Sequence, residues 1–169
     1  MKRLFFALWP DDETREKINT LNQSIDEGGR KLAAENLHIT LVFLGNVDDD
    51  IAAAVQSEAA EIQGSPMTLQ FDELTYWHRP RVLCLTCRRQ PKNIYMLVNA
   101  LTNMVSRHLG ELEKRHYRAH ITLARKARRR PAISFEPIRV HADSFALLES
   151  VSTEQGVQYN VLETWPLQG

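Results

Sequence analysis

The sequence predicts an α+β protein built from two similar lobes, each an antiparallel sheet with helices packed on its outer face. Three observations support this prediction. Apolar runs typical of strands alternate with stretches of helical spacing, the tetrapeptide His-Ile-Thr-Leu occurs at 38–41 and again at 120–123, and the elements before each copy match. We therefore expect residues 1–169 to form one bilobal domain whose lobes are related by an approximate twofold axis.

The first half of the chain is predicted to contain three strands and two helices. The run at 2–9 is nearly continuously apolar, which favours a buried strand. Apolar residues then recur at helical spacing between Pro10 and Gly28, so a helix is expected there. The remaining elements are a strand at 37–44 ended by Gly45, a helix at about 51–63 after three aspartates that offer N-caps, and a strand at 66–77.

The second half begins with the same order of elements. A strand is predicted at 81–87, a helix between Pro91 and Gly110, and a strand at 119–124. The offsets between the halves are 78 residues from Arg3 to Arg81 in the first strands, 81 from Pro10 to Pro91 at the helix starts and 82 between the tetrapeptides. Because strand, helix and tetrapeptide recur together, we interpret them as a duplicated scaffold. The tail adds two predicted strands, at 137–151 and 156–166.

Each tetrapeptide is expected to have one polar and one apolar face. Side chains at i and i+2 of a strand point the same way, so histidine and threonine share one face while isoleucine and leucine share the other. If the lobes pair about a twofold axis, the two polar faces meet across a cleft. The residues of the two motifs are His38, Ile39, Thr40 and Leu41, and His120, Ile121, Thr122 and Leu123.

Two histidines at one site suit proton transfer in both directions. Their ordinary pKa of about 6.5 lets one ring be neutral and the other protonated near neutral pH. One can then take a proton from a nucleophile while the other protonates a leaving group. Two hydroxyls can donate to the oxygens of a phosphate. This pattern predicts phosphoryl transfer without a metal, because a zinc site would lack a third ligand beside either motif.

The other histidines and the two cysteines are expected to be structural. Cys84 and Cys87 match the pattern Cys-x-x-Cys, but side chains at i and i+3 of a strand point to opposite faces, so we predict reduced thiols. A surface or structural role is predicted for His78, His108, His116 and His141.

The chain is neutral overall but its charge is unevenly distributed. Residues 1–75 hold 6 Lys and Arg against 14 Asp and Glu, whereas residues 76–130 hold 14 against 2. The middle third could be an anion-binding face or a set of solvated loops. The amino-terminal residues lack the features of a signal peptide, and no segment approaches the roughly 20 apolar residues of a membrane span. A cytoplasmic protein without a membrane partner is therefore expected.

These residues resemble the two-histidine (2H) phosphoesterases, and more narrowly the LigT-like bacterial RNA 2',3'-cyclic phosphodiesterases, also called 2'-5' RNA ligases. The similarity covers essentially the whole chain in order. Its segments are Arg-Leu-Phe-Phe-Ala-Leu at 3–8, Asn-Leu-His-Ile-Thr-Leu-Val-Phe-Leu-Gly at 36–45, Arg-Val-Leu at 81–83 and His-Ile-Thr-Leu-Ala-Arg at 120–125. Ala119 stands where the family often has proline, and Cys84 stands where it often has an aromatic residue.

The resemblance implies a role for each motif residue. His38 would be the general acid, or proton donor, and His120 the general base, or proton acceptor. Thr40 and Thr122 would hold the phosphate oxygens, and Arg125 would pair with the phosphate charge. The implied reaction is hydrolysis of an RNA 2',3'-cyclic phosphate end to a 2'-phosphate, with no cofactor and no metal. The same residues would support the reverse chemistry, which joins RNA ends through a 2'-5' bond.

The basic residues around the second motif fit an approach path for an RNA backbone. Two alternatives remain open: an RNA-binding module with vestigial catalysis, and a 2H phosphodiesterase that acts on another cyclic nucleotide. The basic residues are Lys114, Arg115, Arg118, Arg125, Lys126, Arg128, Arg129 and Arg130.

Overall fold

The computed structural model describes residues 1–112 and 116–168, and these contain ten strands and three α-helices. None of the helices in these ranges is long and apolar enough to cross a membrane. The strands are β1 (Lys2–Leu8), β2 (Arg30–Lys31), β3 (Ile39–Val47), β4 (Met67–Phe71), β5 (Glu73–Trp77), β6 (Val82–Thr86), β7 (His120–Arg125), β8 (Ile138–Ala142), β9 (Ser144–Thr153) and β10 (Gly156–Pro166). The helices are α1 (Asp12–Gln23), α2 (Asp49–Ala59) and α3 (Lys92–Leu109).

The strands form two four-stranded sheets and one two-stranded sheet, and every pairing is antiparallel. The first sheet has the order β10-β9-β1-β3, the second has the order β2-β7-β6-β5, and β4 pairs with β8. In each large sheet the strand that carries a His-Ile-Thr-Leu motif pairs with the first strand of its half. The predicted α+β architecture with two similar lobes is confirmed.

The helices begin where the sequence places caps. The Asp11 carboxylate accepts a hydrogen bond from Thr14 N at the start of α1, and Asp48 accepts one from Ile51 N at the start of α2, each at 2.8 Å. Helix α3 follows Pro91 and ends at Gly110, whose φ of 83° favours glycine. The first two helices end four or more residues before their predicted ends.

Two strands that were predicted as continuous are each interrupted by an aspartate. The predicted strand at 66–77 breaks at Asp72, where the backbone N–H donates to Thr86 O at 3.1 Å and the carboxylate accepts from Arg88 N at 3.0 Å. The predicted strand at 137–151 breaks at Asp143, whose carbonyl accepts from Leu167 N at 2.7 Å. The pieces on either side of each break belong to different sheets, so the prediction of single long strands was wrong.

A short strand that the sequence did not predict connects the first half to the second sheet. Strand β2 pairs with the end of β7, and Leu32 N continues the pairing by donating to Leu123 O at 2.9 Å. Gly29 precedes β2 and lies against the backbone, because a Cβ there would be 2.5 Å from Arg125 O. Only glycine permits this close approach.

The main core lies on the faces of the two large sheets that point away from the motif histidines and threonines. Along β1, Leu4, Phe6 and Leu8 belong to this core, and Phe5 and Ala7 belong to a small cluster on the opposite face. The apolar residues of both motifs lie in the main core, as predicted: Ile39, Leu41, Ile121 and Leu123. The faces that carry the histidines and threonines are therefore available to form a binding site.

Candidate active site

The first motif holds its histidine through a hydrogen bond to the backbone. His38 lies immediately before β3, and its Nδ1 is 2.8 Å from the Asn36 carbonyl oxygen. A carbonyl only accepts, so Nδ1 carries a proton. Its Nε2 is 2.8 Å from Thr40 Oγ1, and in the neutral ring Nε2 accepts from that hydroxyl. Nε2 is therefore the ring nitrogen that does not bind the backbone, and its partner is the hydroxyl of the same motif.

The second motif repeats this arrangement. His120 is the first residue of β7, and its Nδ1 donates to the Arg118 carbonyl at 2.9 Å. In both motifs the acceptor lies two residues before the histidine. Thr122 pairs with Cys84 of β6, and its Oγ1 is 3.8 Å from Cys84 Sγ. The duplication predicted from the tetrapeptides thus extends to the side-chain hydrogen bonds that orient both rings.

Aromatic side chains surround His38. Its ring centroid is 5.0 Å from that of Phe5, 5.0 Å from that of Tyr159 and 6.2 Å from that of Trp9. The Arg15 guanidinium lies over the Trp9 ring, 4.3 Å from its centroid. No sequence pattern predicted these residues at the site, because β1, α1 and β10 are brought together only by the fold.

The environment of His120 contains one aromatic ring and a charged pair. The Trp77 ring meets His120 edge-on at a centroid distance of 5.2 Å. The Arg118 guanidinium lies 5.7 Å from the Trp77 centroid and donates to the Glu73 carboxylate at 2.9 Å. His120 is thus bordered by residues of β5 as well as by its own segment.

Burial lowers the pKa of His38 to about 4. The hydrogen bond to Asn36 opposes this shift, because it stabilises the protonated ring. The charges of His120, Arg125 and Arg15 lower the pKa of His38 further. Two of these residues, His120 and Arg125, were predicted as site residues from the sequence. They therefore lie close enough to His38 to act on its charge.

Burial also lowers the pKa of His120. The Arg118 carbonyl raises the pKa of His120 by accepting its hydrogen bond, whereas the Arg118 guanidinium lowers it. Both rings are consequently neutral near pH 7 when the site holds no anion. A bound phosphate would raise both pKa values, because its negative charge stabilises the protonated rings.

Two residues outside the motifs hold the segment before His120. The Gln90 amide donates to Tyr117 O at 3.2 Å and accepts from Ala119 N. The Tyr117 hydroxyl donates to the backbone carbonyl of Thr40 at 2.8 Å. The second lobe therefore contacts the first motif strand directly. No spacing in the sequence connects Gln90 or Tyr117 with the motifs, so neither residue was predicted at the site.

The two cysteines are free and buried, in agreement with the predicted structural role. Burial raises the pKa of each thiol to about 12, so both are neutral. The Cys84 thiol can thus lie beside Thr122 without placing a negative charge near the site. Within residues 1–112 and 116–168, no three histidine, cysteine or acidic side chains form a group that could hold a metal ion.

The basic residues predicted near the second motif have different surroundings. Arg125 ends β7 and is exposed. Arg129 pairs with Asp26 at 3.0 Å. Lys114 and Arg115 lie outside the described residues.

Comparison with known proteins gives consistent matches. The family described as "LigT like Phosphoesterase" matches residues 8–84, which include the first motif. The RNA 2',3'-cyclic phosphodiesterase of Escherichia coli (strain K12) is 33% identical, with 98% of this chain and 97% of that protein covered. The apo crystal structure of E. coli LigT superposes with a TM-score of 0.88 at 33% identity, covering 99% of this chain and 98% of that one. The complex of E. coli LigT with 3'-AMP gives a TM-score of 0.86 at 32% identity, with 99% of both chains covered.

Proposed function

The chain belongs to the LigT-like phosphoesterase family, and we propose that it is a hydrolase that opens the 2',3'-cyclic phosphate at the end of an RNA. The product would be a 2'-phosphate. The observation that best supports this proposal is the pair of histidines whose Nδ1 atoms both bind a backbone carbonyl two residues earlier, so that in each ring Nε2 is the nitrogen that does not bind the backbone. The name of the E. coli relative and the 3'-AMP bound by LigT support an RNA end as the substrate.

The proposed reaction uses one histidine on each side of the phosphorus. His120 Nε2 takes a proton from water, whose oxygen forms a bond to phosphorus. The bond from phosphorus to O3' breaks in line with this attack, and His38 Nε2 gives its proton to O3'. Each proton transfer typically contributes about 10²- to 10⁴-fold to the rate. The two rings exchange protonation states during the turnover, and no metal is required for either transfer.

The remaining motif residues would stabilise the phosphate. Negative charge grows on the non-bridging oxygens as water attacks, and fixed donors aimed at these oxygens lower the barrier. Thr40 and Thr122 supply hydroxyl donors, and Arg125 supplies a positive charge. Thr40 has a second contact, because its Oγ1 lies 2.8 Å from His38 Nε2. When His38 is protonated it no longer accepts from Thr40, so that hydroxyl becomes free to donate to the phosphate.

The low pKa of His38 has a consequence for its role as the acid. Since its pKa is about 4, the ring is mostly neutral in the free enzyme at neutral pH. The bound cyclic phosphate must raise this pKa before His38 can give a proton to O3'. Substrate binding and formation of the reactive protonation state are therefore coupled.

We expect kcat/KM to depend on pH as a bell with its maximum on the acidic side of neutrality. This quantity reports the free enzyme, in which the pKa of His38 is about 4 and that of His120 is below 6.5. Below the lower pKa both rings are protonated and no base remains. Above the higher pKa both rings are neutral and no acid remains. Initial rates at low substrate concentration, measured across this range, check the prediction.

The profile of kcat should be displaced to higher pH, because the bound phosphate raises the pKa of both rings. A rate that rises monotonically with pH would contradict the paired acid and base. Coincident profiles for kcat and kcat/KM would contradict the coupling between substrate binding and protonation.

The direct test of the proposed function is the product from a short RNA that ends in a 2',3'-cyclic phosphate. We expect the purified protein in excess EDTA to convert this RNA to the 2'-phosphate, which chromatography resolves from the 3'-phosphate. Formation of the 3'-phosphate would overturn the proposed direction of opening. Activity that EDTA abolishes and a divalent ion restores would overturn the metal-independent mechanism.

We also propose that residues 1–169 act as one bilobal domain, because buried residues of both large sheets belong to one core cluster. The cytoplasmic location stays a prediction.

A further inference from the structure

A cavity lies beside the histidine site and is lined by cationic side chains. Its volume is about 570 Å³, and neither motif histidine lines it. We call it the arginine pocket. Its wall includes Tyr76, His78, Arg118, Arg128, Arg129 and Arg130.

The arginine pocket is connected to the catalytic site through Arg118. The backbone carbonyl of Arg118 orients His120, while its side chain lines the pocket. The Trp77 ring also meets both neighbours, since its centroid is 5.2 Å from that of His120 and 5.7 Å from the Arg118 guanidinium. The arginine pocket and the histidine site therefore share Arg118 and lie next to each other.

The pocket has an excess of positive charge. Glu73 is the carboxylate in its wall, and Arg118 and Arg88 pair with it at 2.9 and 3.6 Å. The exposed Asp26 pairs with Arg129. Among the residues that the structure describes, Arg128 and Arg130 form no ion pair with a carboxylate.

Part of this charge is held in place by the backbone. Arg128 N donates to Glu27 O at 2.8 Å, and the aliphatic part of the Arg128 side chain lies over Gly28. The Tyr76 hydroxyl donates to Ala127 O at 2.8 Å, which fixes this part of the chain against β5. The pocket is thus anchored to both β5 and the segment before β2.

We propose that the arginine pocket binds the phosphodiester that joins the terminal nucleotide of the RNA to the preceding one. Guanidinium groups suit phosphate oxygens because they offer paired donors in one plane and keep their charge. The cavity volume lies within the range of about 300–1,000 Å³ that is typical of small-molecule sites, so it can accommodate the nucleotide next to the reacting end. This inference rests on the proposed function and makes the enzyme selective for RNA chains over cyclic mononucleotides.

The test compares a substrate that has this phosphodiester with one that lacks it. The substrates are 2',3'-cyclic AMP and the dinucleotide ApA with a 2',3'-cyclic end. We expect Arg130→Ala to lower kcat/KM for the dinucleotide by about tenfold, the scale of one lost charged hydrogen bond, and to leave the cyclic mononucleotide unchanged. The matched control is Arg139→Ala, which removes an exposed arginine from β8.

A third substrate tests the charge itself. For a dinucleotide with a neutral methylphosphonate linkage, the kcat/KM of the wild-type protein should fall by at least the same factor, because the charge that all the arginines contact is gone, and Arg130→Ala should lower it no further. The pocket would be rejected as a phosphate site if Arg130→Ala lowered kcat/KM equally for the mononucleotide and the dinucleotide, or did not lower it for the dinucleotide. It would also be rejected if Arg130→Ala lowered kcat/KM for the methylphosphonate substrate by the full tenfold.

Binding separates the failure of this inference from the failure of the proposed function. The probe is an unreactive ApA dinucleotide with a 3'-phosphate, titrated against the wild-type protein and Arg130→Ala at several salt concentrations. We expect the variant to bind more weakly. The slope of its log binding constant against log salt concentration should be smaller by about 1, the value of one phosphate contact. If no cyclic phosphate is opened by the wild-type protein, the proposed function fails, but unequal binding still supports the pocket. Equal binding by both proteins rejects it.

Discussion

We expect His120→Ala and His38→Ala each to lower kcat/KM for a 2',3'-cyclic RNA end by about 10²- to 10⁴-fold. In the proposed mechanism the first change removes the base that takes the proton from water, and the second removes the acid that protonates O3'. Each Nε2 is the ring nitrogen left for the proposed transfer, because each Nδ1 is hydrogen-bonded to a backbone carbonyl. Alanine leaves no side-chain atom that could replace it.

The measurement is the initial rate of opening of the cyclic phosphate, compared with His141→Ala as the control. His141 is an exposed histidine of β8 whose Nδ1 contacts Thr68 Oγ1 at 3.1 Å, so its removal should leave the rate unchanged. Thermal unfolding of each variant separates loss of chemistry from loss of folding. Wild-type activity in either His38→Ala or His120→Ala would reject the role of that residue.

A modified substrate distinguishes the acid from the base. When sulfur replaces O3' in the cyclic phosphate, the leaving group needs little protonation, because thiols are far more acidic than alcohols. This substrate should recover most of the activity of His38→Ala and none of the activity of His120→Ala. The opposite pattern would show that the two histidines have exchanged roles, and recovery by neither would argue against the departure of O3'.

We expect Thr122→Val to lower kcat/KM by about 10²-fold, the effect of removing one fixed donor from a developing negative charge. Valine keeps the shape of threonine but replaces its hydroxyl with a methyl group. The hydrogen-bonding neighbour of Thr122 Oγ1 is the neutral Cys84 thiol, at the long distance of 3.8 Å. The hydroxyl therefore contributes little to the stability of the unliganded protein. The substitution should therefore lower kcat/KM and leave the unfolding temperature nearly unchanged.

Thr164→Val is the matched control, because Thr164 is exposed on β10 and belongs to neither motif. Thr40→Val should show a loss similar to that of Thr122→Val. It should also move the pH profile, since Thr40 Oγ1 contacts His38 Nε2. Full activity of Thr122→Val would remove this residue from the phosphate site. A shifted pH profile for Thr122→Val, with none for Thr40→Val, would contradict the contact that ties Thr40 to His38.

The repeated tetrapeptide, together with the matching strand and helix before each copy, was sufficient to predict the two lobes and the polar face of each motif strand. The prediction of the polar faces was correct because the two-residue period of a strand determines which side chains share a face, independently of the rest of the chain. Alternation also placed Ile39, Leu41, Ile121 and Leu123 in the core. Element ends were less predictable, since the breaks at Asp72 and Asp143 depend on partners far along the chain: Thr86, Arg88 and Leu167.

By itself the sequence determined the two motifs, their duplication and the identity of the two histidines. Only the tertiary structure decided what surrounds them: the aromatic rings beside His38, the Tyr117 contact with Thr40, and the arginine pocket that Arg118 lines. The physical reason is the range of the interactions. A strand face is set by neighbours two residues apart, whereas burial, pKa and charge depend on residues that meet only when the sheets fold together.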